Sequence, residues 1–125
     1  MGYLFVFLGG GLGAMLRHGI NLLTGRLFPG IGFPIATLTI NVTGSIAMGV
    51  LVAIFAFKGG GTQHWRLFLT TGILGGYTTF STFSLDVALF YERGDLIQAA
   101  LYVLASVVLS IVGIMLGLTL TRYVL

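Results

Sequence analysis

The sequence predicts an all-α integral membrane protein with four transmembrane helices, the third broken near its middle. Three observations carry that prediction. Of the 125 residues, 57% are hydrophobic and only 7% are charged, against about 25% charged in a soluble domain. Apolar runs near the ~20 residues needed to cross a bilayer recur four times between turn-forming segments. Inside the third run, residues 72–84 combine the adjacent pair Gly75-Gly76 with a succession of serines and threonines. Glycine costs roughly 1 kcal/mol against alanine in a helix interior, so the pair should weaken the helix mid-membrane. Hydrocarbon offers no water to freed backbone groups, and such a break survives only where protein or a polar cavity covers it.

The first span is read over residues 3–23, the second over 34–57, the third over 66–91 and the fourth over 96–123. Loops are expected at 24–33, with Gly25, Pro29, Gly30 and Gly32, at 58–64, with Gly59-Gly60-Gly61, and at 92–95. Pro34 suits a first-turn position, where its missing N–H costs nothing. Trp65 and Tyr123 stand at span ends, as interfacial aromatics do. The whole chain, 1–125, reads as a single transmembrane domain. The first apolar run has no basic residue before it, so no signal peptide is expected.

Composition excludes several classes. The cations are scattered and form no basic cluster for nucleic acid. Cysteine is absent, which removes disulfide frameworks and thiolate metal sites. His18 and His64 have no paired ligand spacing, and no Ser/His/Asp order or phosphate-binding loop appears; the chain is not expected to be an enzyme.

Orientation is underdetermined. With four spans, Lys58, Arg66 and Arg122 fall on one side and Arg17, Arg26 and Arg93 on the other, three against three of the six cations. Excess Lys and Arg sets topology, so the chain gives little instruction. Either it inserts both ways and pairs as an antiparallel homodimer, or loop length and helix hydrophobicity decide. Each span also carries small or polar residues at helical spacing: Gly9, Gly13 and Arg17; Thr37, Asn41, Ser45 and Gly49; Tyr102, Ser106 and Ser110, then Gly113 and Gly117. Such stripes are mostly packing faces.

Some residues ask for more than packing. Asn41 places two amide N–H donors near the middle of a span, either to bridge helices or to replace part of an anion's hydration shell. Arg17 lies inside its span with no acid in the first or second span to neutralise it; it either snorkels to the headgroups or draws anions into a vestibule. Phe80 and Phe83 share a face of the helix half beyond the break, and ring edges are positive. Two edges with Ser and Thr hydroxyls nearby would face an anion without fixed charge. Carbonyls freed around residues 75–78 suit a cation, as in unwound transporter segments. Asp86, the one acid inside a span, either pairs with a basic residue or lies near the interface.

Three motifs resemble the Fluc (CrcB) family of fluoride channels: Gly10-Gly11-Leu12-Gly13-Ala14-Met15-Leu16-Arg17, Thr37-Leu38-Thr39-Ile40-Asn41-Val42-Thr43-Gly44-Ser45, and the glycine–threonine–phenylalanine stretch of residues 72–84. With the four-span layout they cover nearly the whole chain; the third motif is highly specific, the first weak alone. The resemblance implies an antiparallel, dual-topology homodimer in the inner (plasma) membrane, whose two pores pass fluoride passively out of the cell. It implies that Asn41, Phe80 and Phe83 line the paths, that Ser81, Thr82, Ser84 and Tyr102 form a polar track, and that Arg17 lies near the vestibule. It further implies a structural sodium ion at the dimer interface, held by the Gly75 and Thr78 backbone carbonyls. Ala36, His18, Ile73-Leu74 and Tyr77 depart from the usual pattern without removing a pore residue. Two other functions compete with this one. A four-span proton-coupled multidrug exporter would need a titratable carboxylate in its pathway, with Asp86 the candidate. A non-transporting assembly subunit would need only the packing faces.

Overall fold

The computed structural model describes residues 1–59 and 61–125; Gly60 of the expected second loop lies outside them. Among these residues the chain is all-helical. Helix α1 spans Gly2–Leu27, α2 Ile35–Phe57, α3 Gln63–Arg66, a π-helical stretch Leu67–Leu74, α4 Gly75–Tyr77, α5 Phe80–Glu92 and α6 Leu96–Val124. Helices α1, α2 and α6 are long and apolar enough to cross a membrane. Neither residues 63–77 nor α5 reaches the ~20-residue span length alone.

Two glycine seams organise the packing. Against the π stretch and α4, α1 presents Gly9 and Gly13. A Cβ on Gly9 would strike the Phe68 carbonyl, and one on Gly13 the Ile73 carbonyl. Gly72 and Gly76 answer from the other side, Gly76 meeting the Gly10 carbonyl. Helices α2 and α6 form the second seam, in which Gly49 seats on the Ile114 carbonyl and Gly117 on the Ile46 carbonyl. Without side chains the backbones approach closely, which is how helices associate in lipid, where apolar burial gives no net drive. Gly9, Gly13, Gly49, Gly113 and Gly117 are accordingly buried.

An aromatic cluster joins α5 to α6. Tyr102 is fully buried, with ring centroids 5.1 Å from Phe83, 5.4 Å from Phe33 and 6.1 Å from Phe90. Helix α5 ends in a glycine cap. Gly94 takes φ 78°, its N–H bonds Tyr91 O, and the Asp95 N–H bonds Phe90 O at 2.9 Å, the paired bonds of a Schellman turn. Arg66 closes the end of α2, donating to Phe55 O at 3.2 Å with its guanidinium 5.4 Å from the Phe55 ring centroid.

Several expected boundaries move. Residues 24–27, read as loop, form the last turn of α1, and Gly30 at φ 78° makes the turn instead. Gln63 and His64, also read as loop, open α3. The glycine pair itself stays helical. Gly76 is held against the α1 backbone, and helical geometry stops one residue after Tyr77, where Thr78 turns extended (φ −78°, ψ 156°). Thr79 is extended as well (φ −151°, ψ 118°), and α5 starts at Phe80.

Candidate ion pathway

Leaving the helix at Thr78 and Thr79 strands backbone groups, and buried backbone groups must find partners. The Thr79 N–H, whose helical acceptor would be the Gly75 carbonyl, donates instead to Asn41 Oδ1 at 2.8 Å. Asn41 Nδ2 returns a bond to Thr79 O at 2.9 Å. One amide from α2 thereby replaces both halves of a peptide partner. The Thr82 N–H, which would serve Thr78 O, is taken by the Thr79 side chain at 3.2 Å as the N-cap of α5. Thr78 O accepts from Arg17 Nη1 at 3.3 Å. Two further contacts hold the segment: the Tyr77 hydroxyl meets Thr43 Oγ1 of α2 at 2.9 Å, and Thr78 Oγ1 donates locally to Leu74 O at 2.9 Å.

Beside the interruption lies an open groove of about 420 Å³ between α2, α5 and α6, lined by Asn41, Ser45, Thr78, Thr79, Phe80, Phe83, Ser106 and Ser110 among others, none of them charged. Asn41 keeps one N–H after its bond to Thr79 O, since its amide carries two. The Phe80 ring is 78% exposed, whereas Phe83 is 8% exposed and packs on Tyr102. The two rings share a face, with centroids 5.4 Å apart, but only Phe80 is bare. Ser106 was read only as packing, yet its buried Oγ has no hydrogen-bond partner among the described residues, and an unpaired buried hydroxyl costs ~1–3 kcal/mol. Its place on the Tyr102–Ser106–Ser110 stripe was the available signal.

The expected polar track divides. Each hydroxyl has one proton to give. Tyr102 gives its own to Asp86 Oδ2 at 2.9 Å, and Ser84 gives its own to Phe80 O at 2.9 Å. Thr82 accepts from Thr79 Oγ1 at 3.2 Å, which leaves its proton unspent, and Ser81 shares a 3.2 Å contact with the same Thr79 oxygen. Ser81, Thr82 and Ser84 are exposed and outside the groove lining. Asp86 pairs with no basic residue among the described residues; its carboxylate accepts from Tyr102. It borders a second, smaller cleft of about 270 Å³ with Phe33, Pro34, Phe90 and Arg93. Arg93 lies 3.6 Å from Asp95 and over the Phe90 ring. Arg17 is brought to the interruption rather than to an acid.

Gly75 and Thr78 were expected to offer carbonyls to a cation. The Gly75 carbonyl has lost the Thr79 N–H as helical donor, and carbonyl oxygens are suitable hard donors. Thr78 O has a lone pair beyond the one facing Arg17. The donor set fits an alkali ion, with the Arg17 charge as an opposing influence.

Known proteins similar to this chain include one family and three relatives. The family profile for CrcB-like protein, Camphor Resistance (CrcB), matches residues 4–118. A fluoride-specific ion channel FluC of Rhodopseudomonas palustris (strain BisB5) is 64% identical over 98% of both chains. FluC 2 of Nitrobacter hamburgensis is 56% identical over 98% of both, and the FluC of Methylobacterium nodulans is 57% identical over 95% of this chain and 94% of its own.

Proposed function

The chain belongs to the CrcB family, and from that premise we propose that it is a fluoride-selective passive channel exporting fluoride across the cell's inner membrane. Relatives named as fluoride channels along nearly the full length support transport rather than catalysis. The observation that carries the reading is the groove. It offers an exposed Phe80 ring and a spare Asn41 N–H, with the unpaired Ser106 hydroxyl buried in its wall and no charged side chain in its lining. General anion pores use rings of Lys or Arg; neutral donors and a positive ring edge suit a small, hard, strongly hydrated anion.

Residues 63–92 act as one crossing interrupted at Thr78 and Thr79. That gives four spans and returns both termini to one side. Even division of the cations then supports a dual-topology, antiparallel homodimer. In the antiparallel pair a reversed second copy covers the groove, closing it into a pore, and brings two interruptions together at mid-membrane. Gly75 and Thr78 carbonyls of both copies would hold the sodium ion there; bound, it would neutralise carbonyl dipoles at the interface. Asn41, Phe80 and Phe83 face fluoride. Ser81, Thr82, Ser84 and Tyr102 continue the path, with Tyr102 and Ser84 as acceptor-burdened hydroxyls that contribute less than Thr82. Asp86 lies outside the groove, which weighs against a proton-coupled exporter.

Purified protein in liposomes should release fluoride down its gradient with negligible chloride flux; equal chloride flux would sink the selectivity. Cysteines introduced in the loops should label from both sides of the membrane, and one-sided labelling would end dual topology.

A further inference from the structure

We propose that Arg17 is a positioning residue for the interrupted backbone, acting through the Thr78 carbonyl rather than as a free charge at a pore entrance. This rests on the channel reading above, because its consequence is the presentation of Phe80 to the groove.

Gly13 is locked on the Ile73 carbonyl and the Tyr77 N, contacts with backbone that leave no room for a side chain. Arg17 follows Gly13 by one helical turn and so shares its face. The register that seats Gly13 on Ile73 carries Arg17 one turn further along the opposing chain, to Thr78. Its half-buried guanidinium arrives there from a platform with almost no freedom to slide.

Thr78 O needs such a donor. Its helical partner, the Thr82 N–H, is spent on the Thr79 hydroxyl. The guanidinium supplies the replacement at 3.3 Å, and a hydrogen bond from a charged donor is worth more than a neutral one. Arg17 in turn has no acid: among the described residues the one ion pair is Arg93–Asp95. The guanidinium thus gives Thr78 O the donor that the helix withholds. Asn41 holds Thr79 from α2 while Arg17 holds Thr78 from α1, so the two extended residues are fixed from opposite helices. Together those dihedrals set where α5 starts, and Phe80 is its first residue.

A steering charge and a positioning contact predict different kinetics. Steering raises the local concentration of fluoride; its loss is overcome by saturating fluoride and masked by salt. Loss of positioning lowers the rate at saturation. In liposomes, Arg17→Gln and Arg17→Lys should each lower the saturated fluoride rate by about tenfold, equivalent to ~1.4 kcal/mol. The half-saturating concentration and salt dependence should stay near wild type. Lysine keeps the charge but is shorter and carries a point-like ammonium in place of the guanidinium that reaches Thr78 O, so a wild-type rate in Arg17→Lys would overturn the proposal. So would a loss confined to low fluoride and abolished by salt. Should either variant fail to assemble, a structure of the wild-type dimer in lipid decides. A guanidinium within hydrogen-bond distance of Thr78 O upholds the proposal, and one turned away overturns it. Wild-type protein that passes no fluoride would instead defeat the channel reading, with the carbonyl contact still open to that structural measurement.

Discussion

The α1 seam and the groove beside α2 are built from the same vocabulary, small and hydroxyl-bearing residues at helical spacing, yet one is closed and the other open. At the seam, Gly9 and Gly13 meet opposing backbone, and nothing is left to bind. In the groove, Asn41, Phe80 and Ser106 face a space of about 420 Å³ that no helix of this chain fills. The difference lies in the facing surface. Glycine opposite glycine lets backbones touch and excludes everything else, whereas extended residues 78–79 leave no regular ridge to pack into a groove. A stripe of small residues therefore says that two surfaces can approach, not that they do.

Disrupting the closed region should have the largest effect. Gly13→Leu drives a side chain into the Ile73 carbonyl, and backbone cannot yield as side chains do. The cost should exceed ~3 kcal/mol, read as loss of a monodisperse peak in size exclusion. Next, Asn41→Ala removes both bonds to Thr79; at ~1 kcal/mol per hydrogen bond it should lower stability by ~2 kcal/mol in thermal unfolding and also cut fluoride flux. Unchanged stability would show that Thr79 is held by something other than Asn41.

Phe80→Ile separates the regions most cleanly. The ring is mostly exposed within the protomer, so the fold should persist while flux falls by about tenfold, the scale of one aromatic interaction. Wild-type flux would remove the ring edge from the pathway. Ser106→Ala should slow flux more modestly and leave thermal stability level or slightly raised, since it deletes an unpaired buried hydroxyl. A marked stability loss would mean that Ser106 has a partner inside the protomer. Smallest in its effect on flux, Gly19→Ala adds a methyl inside α1 where nothing lies within 4 Å. It should raise stability by up to ~1 kcal/mol in thermal unfolding, the helix-propensity gain of alanine over glycine.

Much of this was legible in the sequence, for physical reasons that can be named. Spans declare themselves because lipid admits only long apolar helices with their backbone groups satisfied internally. Glycines at steps of four in α1 announce a contact face because a helix repeats every 3.6 residues. The glycine pair was expected to weaken the helix, and the non-helical residues lie two positions beyond it. Helix propensity pointed to Gly75-Gly76, whereas that pair is helical, with Gly76 held against the Gly10 backbone, and the extended residues are Thr78 and Thr79. The end of α1 shifted for a related reason: Gly25 lies within the helix, and it is Gly30 that takes the positive φ a turn requires.

What the sequence determined by itself is the class of molecule: an all-α membrane chain with no catalytic constellation, a polar, glycine-bearing third segment, and through its motifs a place among CrcB proteins. Those are properties of composition and spacing, which survive without knowing what faces what. Only the tertiary structure decided the spending of each polar hydrogen. Tyr102 gives its proton to Asp86, Ser84 to its own helix, Asn41 one N–H to Thr79, and Arg17 bonds a carbonyl, while Ser106 keeps its own. A hydrogen bond depends on distance and direction between groups far apart in the chain, as Arg17 and Thr78 are, and no local pattern encodes that geometry.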